Sequence, residues 1–96
     1  MLFIATCVDK PQSLDKRIAN RPAHLAYLNG LGARVKIGGA LLGPDHQTPV
    51  ASMIIFEGES EDDVLAILDK DPYSRAGLFE SVSVKPWRQA VGQALM

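Results

Sequence analysis

Two short stretches set titratable side chains beside prolines: Arg21-Pro22-Ala23-His24 and Asp71-Pro72-Tyr73. A histidine and an aspartate that meet in space make a proton-transfer pair, in which the carboxylate orients the imidazole and favours its charged form. Arg17 and Arg21 lie just before His24, and two guanidinium groups can clamp an anionic ligand through paired N–H donors. Tyr73 can present its hydroxyl as a donor. Each residue also has a plain structural use. His24 can cap or pack at a helix start, Asp-Pro is a common exit from a helix, Tyr73 can bury its ring, and helix arginines commonly face water.

Other residues offer less. Gly43-Pro44 either lets the backbone approach a ligand or merely turns the chain, and neither GxxxxGK[ST] nor GxGxxG occurs. His46 follows Asp45 on a polar loop and reads as solvated. Two histidines without i,i+4 spacing make a weak metal case, so no metal or cofactor is expected. Ser81 and Ser83 alternate with valines, and neither sits in a nucleophile elbow. Cys7, inside an apolar run, reads as core filler rather than nucleophile.

The elements that must position these groups follow from periodicity. Leu2 to Val8 is apolar on both alternating sets and reads as a central strand. Ser13 to Ala19 can hold a turn or two of helix, but Pro22 suits a first helical position and breaks an interior one. The main first helix is therefore expected from Pro22 to about Leu31, with Leu25 and Leu28 inward and His24 near its start. There the free N–H groups oppose an imidazolium and a neighbouring carboxylate favours it. Arg34 to Leu42 reads as a second strand whose Gly38-Gly39 pair suggests a bulge or a close backbone approach. Val50 to Phe56 is a third strand. Ser60 with Asp63 marks a helix start, and Val64, Leu65, Ile67 and Leu68 line one face of a helix ending near Lys70. Glu80 to Lys85 is a fourth strand stopped by Pro86.

The order β-α-β-β-α-β is the ferredoxin-like α+β pattern with an antiparallel sheet. Its alternating directions carry His24, Gly43-Pro44 and Asp71 to one rim. Two helices cover only one face of a four-stranded sheet. The other face therefore calls for a homodimer with the sheets packed about 10 Å apart, and Trp87 suits that interface or its rim. Ala90, Val91, Ala94 and Leu95 form a tail that can dock as a short helix or fray.

Composition bounds the rest. Ninety-six residues fit a single domain over residues 1–96. With 47% hydrophobic and 22% charged residues the chain is an ordinary globular one, and its formal charge of −1 argues against nucleic-acid and anionic-membrane partners. One cysteine permits no internal disulfide and no cysteine metal cluster. No apolar run approaches the ~20 residues of a membrane span. A reduced, cytoplasmic protein is expected.

Lys16-Arg17 with Arg21-Pro22-Ala23-His24-Leu25, the Gly43-Pro44 loop, Asp71-Pro72-Tyr73 with Ala76-Gly77-Leu78, and Val82-Ser83-Val84-Lys85-Pro86-Trp87 together resemble the YciI-like (YCII-related) family over nearly the whole chain. The resemblance implies a dimeric α/β barrel built from ferredoxin-like protomers, with a pocket around a His-Asp pair at the positions of His24 and Asp71. Arg17, Arg21, Gly43, Pro44, Tyr73 and Ser83 stand as candidate substrate-binding residues. One branch of the family includes a dehydrochlorinase acting on a chlorinated hydroxyhydroquinone. Three functions follow as expectations. The first is a cofactor-independent lyase or isomerase using His24 and Asp71 on a small phenolic or anionic substrate. The second is a non-catalytic small-molecule-binding or regulatory dimer using the same pocket. The third is a scaffold in which the pair is a structural hydrogen bond.

Overall fold

The computed structural model describes residues 1–95. The apolar N-terminal run forms strand β1 (Leu2–Asp9), followed by helix α1 (Leu14–Gly30) and a single 3₁₀ turn over Gly32–Arg34. Strands β2 (Val35–Leu42) and β3 (Pro49–Glu57) form a hairpin. Helices α2 (Glu61–Asp69) and α3 (Pro72–Arg75) come next, and β4 (Phe79–Trp87) closes the sheet. The four strands run in the order β2-β3-β1-β4, every pairing antiparallel. This is the expected α+β, ferredoxin-like architecture with an antiparallel sheet.

Alternation on the central strands sorts the residues by face. Phe3, Ala5 and Cys7 of β1 pair with Phe56, Ile54 and Ser52 of β3 on the side covered by helices. There Phe3, Ala5, Cys7, Ile54 and Phe56 join Val64, Ile67 and Leu68 of α2 in one core. Burial of such side chains contributes about 1.5–3 kcal/mol each and dominates the fold. Ser60 caps α2 by accepting from the Asp63 amide at 3.1 Å, as its spacing suggests. On the opposite side Val8, Ile37 and Leu41 keep 40%, 50% and 44% of their surface exposed.

Three local expectations need correction. Helix α1 does not begin at Pro22; it starts two turns earlier and carries Pro22 in its interior. The proline forfeits the bond to the carbonyl of Ile18, but Ile18 lies on the solvent side, where water can satisfy that acceptor. On the other side, the hydrogen bonds of Arg17 to Asp9 and Ser52 and the contacts of His24 with Asp71 and Tyr73 offset the local cost. His24 therefore lies past the middle of α1, beyond the reach of the field at its N-terminus. Leu25, expected inward, is 42% exposed, because the register that buries His24 rotates its neighbour outward. Strand β4 runs through Pro86 to Trp87. It pairs only with β1 and is an edge strand, where a missing N–H is tolerated. The described tail, residues 88–95, forms no helix.

Candidate active site

Arg17, Arg21 and His24 recur at i, i+4 and i+7 on α1 and so share one helix face. That face looks across a cavity of about 220 Å³ toward β2 and β3. Because α1 and β2 run antiparallel, the cavity is graded along its length. Arg17 and Ser52 mark one end, Leu28, Val35 and Ile54 the other, and Gly38 to Ala40 the strand wall.

Asp71 reaches this face from the exit of α2. The following proline holds it in extended geometry (φ −64°, ψ 134°), and its Oδ1 accepts the Tyr73 amide at 2.9 Å, capping α3. The same carboxyl group, with no exposed surface, lies 2.8 Å from Nδ1 of His24 through each oxygen. A carboxylate only accepts, so Nδ1 carries the proton and the lone pair of the neutral ring resides on Nε2. That nitrogen has no hydrogen-bond partner among the described residues, and His24 lines the cavity. The ring is further fixed by stacking on Tyr73, centroids 3.8 Å apart and planes at 13°. Tyr73 is braced in turn by the edge of Phe79 at 6.0 Å.

A second buried arrangement was not anticipated from the sequence. Arg17 donates from Nε to Asp9 Oδ2 at 2.7 Å and from Nη2 to Asp9 Oδ1 at 3.1 Å, while Nη2 also reaches Ser52 Oγ at 2.7 Å. The guanidinium sits 4.9 Å from the centre of the Tyr73 ring. Both members of the pair are only 6% exposed. Burial works against the Arg17 charge, but the hydrogen bonds and charge of Asp9 outweigh it and the pKa rises. Burial likewise raises the Tyr73 phenol, tempered by the Arg17 and Arg21 cations, so the hydroxyl stays protonated near neutrality. Cys7 lies beneath this cluster. Burial, then the charges of Asp71 and Asp9, push its thiol up to about 12, which suits core filler and no nucleophile.

His24, Asp71, Arg17, Arg21 and Tyr73 are thus brought together; Gly43, Pro44 and Ser83 are not. Gly43 opens the β2–β3 turn, its amide donating to Thr48 O at 2.8 Å, and Pro44 follows it within that turn. Neither lines the cavity. Ser83 pairs with Thr6 on the open face of the sheet, away from the helices. A larger hollow of about 540 Å³ lies between Met1, Leu2, Trp87 and the tail, and among the described residues no histidine or carboxylate side chain lines it. His24, Arg17, Arg21 and Tyr73 all line the smaller one.

A family model, the YCII-related domain, matches residues 1–88. Protein YciI of Escherichia coli O6:H1 is 41% identical, over 93% of this chain and 98% of that protein. Among solved structures, the 5-chloro-2-hydroxyhydroquinone dehydrochlorinase TftG from Burkholderia phenoliruptrix AC1100, in complex with 2,5-dihydroxybenzoquinone, is 40% identical. It superposes with a TM-score of 0.85 over 94% of this chain and 96% of its own. A candidate antibiotic biosynthesis monooxygenase from Bacteroides thetaiotaomicron shares the fold alone, at a TM-score of 0.55 and 12% identity over 98% and 95% of the two chains.

Proposed function

The chain belongs to the YCII-related family, and we propose that it is a cofactor-independent, lyase-like enzyme that performs general acid–base chemistry on a small hydroxylated or anionic ring. The observation supporting this reading is the free Nε2 of His24 at the cavity, opposite an Nδ1 held 2.8 Å from a fully buried carboxyl group. In the proposed step, Nε2 takes a proton from the substrate. The electron pair released expels a leaving group from the ring, and Asp71 stabilises the imidazolium so formed. Arg17 and Arg21 balance the anionic oxygen that develops, and Tyr73 supports the imidazole from behind. The proton passes to water when the product leaves. The similarity to a dehydrochlorinase supports loss of a proton and a halide as the reaction class.

The 96 residues act in this reading as one domain. The apolar open face pairs with a second copy, and the protein works in the cytoplasm. No described helix is long and apolar enough to cross a membrane.

The test is incubation of the purified protein with halogenated hydroxyphenols, lactones and small carboxylates, followed by mass spectrometry. Turnover of at least one compound, abolished in His24→Ala, is expected. Ligand binding without product across the panel would favour a binding module instead. Loss of melting temperature in His24→Ala with neither binding nor turnover in the wild type would favour a scaffold.

A further inference from the structure

The two glycines of β2 face opposite sides of the sheet. Both border the cavity along the strand wall, but a side chain at Gly38, opposite Ile54, would share its face, whereas one at Gly39, opposite Met53, would stand on the open face. Neither has a positive φ, so the backbone itself does not demand glycine at either position. Their surroundings differ. A Cβ at Gly38 would stand 3.2 Å from Cγ1 and 3.4 Å from Cγ2 of Ile54, while one at Gly39 would meet nothing within 4 Å. Ile54 is 2% exposed and belongs to the core, so it has little room to retreat. Any side chain at position 38 is therefore forced into the space below α1.

We infer that Gly38 sets the size limit of this cavity, so that the anionic ring it admits is a single planar one and not a fused pair. This rests on the acid–base reading and adds a size and charge to its substrate. At about 220 Å³ the cavity is smaller than the ~300–1,000 Å³ that holds drug-sized ligands. Its cationic end, Arg17 and Arg21, receives the charge. The apolar end, Leu28, Val35 and Ile54, covers the remainder of a ring laid along β2.

Two planar dianions of different ring size separate size from charge: squarate, with four ring atoms, and 2,5-dihydroxybenzoquinone, with six. Calorimetric titration of wild type, Gly38→Ala and Gly39→Ala tests the assignment. Gly38→Ala is expected to weaken the six-membered dianion by roughly tenfold or more while squarate changes by less than about twofold; Gly39→Ala should alter neither. Unchanged affinity in Gly38→Ala, or equal losses for both ligands, would overturn the inference. A second measurement needs no variant. Wild type should reject the bicyclic monoanion of 2-hydroxy-1,4-naphthoquinone by roughly tenfold relative to 2-hydroxy-1,4-benzoquinone, a single-ring monoanion of equal charge, and equal affinity would sink the size limit. Should wild type bind none of these ligands, the acid–base reading of the cavity fails, and the size limit with it.

Discussion

Asp9 and Arg17 meet through two nearly parallel hydrogen bonds, 2.7 and 3.1 Å long, at a site where each side chain is 6% exposed. A register shift between β1 and β4 at Val8/Asp9 accompanies this, and bulges of that kind re-aim side chains beside functional sites. The pair is stiff because both oxygens of Asp9 are engaged and Ser52 takes a further donor. Removing the carboxylate leaves a buried cation without its partner. Asp9→Ala should cost about 3–5 kcal/mol in chemical denaturation, where an exposed pair would cost less than about 1 kcal/mol. The milder Asp9→Asn should keep the fold while raising KM more than it lowers kcat, since Arg17 would lose its fixed aim. A purely structural pair would leave KM unmoved.

Asp71 serves two elements with one carboxyl group, accepting from the Tyr73 amide and holding His24 Nδ1. Asn caps a helix about as well as Asp, so Asp71→Asn should retain α3. Its amide can instead donate to Nδ1, moving the proton to Nε2 and consuming the lone pair that faces the cavity. Turnover should fall by ~10²–10⁴ with little change in melting temperature. Nitrogen NMR of the ring gives an independent check: wild type should show a protonated Nδ1, and the variant a protonated Nε2. Identical tautomers in the two proteins would refute the proposed orienting role.

Much of the sheet was legible because its strands alternate cleanly. Val82 and Val84 face the core side and Ser83 the other, as period two requires. The meeting of His24 with Asp71 agrees with the expectation, but His24 arrives from past the middle of α1 and not from the helix start that the expectation assumed. Pro22 misled the reading of α1, since a local rule about proline was outweighed by tertiary contacts on the opposite side of the helix. The Asp9–Arg17 pair left a signal that single-residue reading does not weigh. Period two puts Asp9 on the same side as Ala5 and Cys7, and a charge on a core-facing position needs a buried partner. The cavity wall is formed by Gly38 to Ala40 rather than Gly43-Pro44 because the β2–β3 pairing extends to Leu42 before the chain turns.

The open side of the sheet makes a separate prediction about assembly. Ile37 is half exposed opposite Ile55, and Leu41 lies two positions further along the same face. A monomer would leave this apolar strip in water. If a second copy covers it, Ile37→Asp buries an unpaired charge in the interface and should shift sedimentation from dimer to monomer. Ligand affinity of the cavity, on the other side of the sheet, should be far less affected. A wild-type protein that sediments as a monomer at micromolar concentration would contradict the pairing.

Cys7 links the core to pH. Burial first, then the charges of Asp71 and Asp9, raise its thiol from 9.0 to about 12, against a smaller pull from Arg17. The unfolded chain releases this proton near its ordinary value, whereas the folded chain retains it. Its contribution to stability is therefore complete below pH 9.0 and is lost as pH climbs from there toward about 12. That interval corresponds to at most on the order of 4 kcal/mol. Urea midpoints across this alkaline range should fall steeply for wild type and more gently for Cys7→Ala, which has no thiol to ionise. Parallel slopes would show that another group governs alkaline unfolding. The same burial predicts that iodoacetamide leaves the native protein unmodified at neutral pH and alkylates Cys7 only once urea has opened the core.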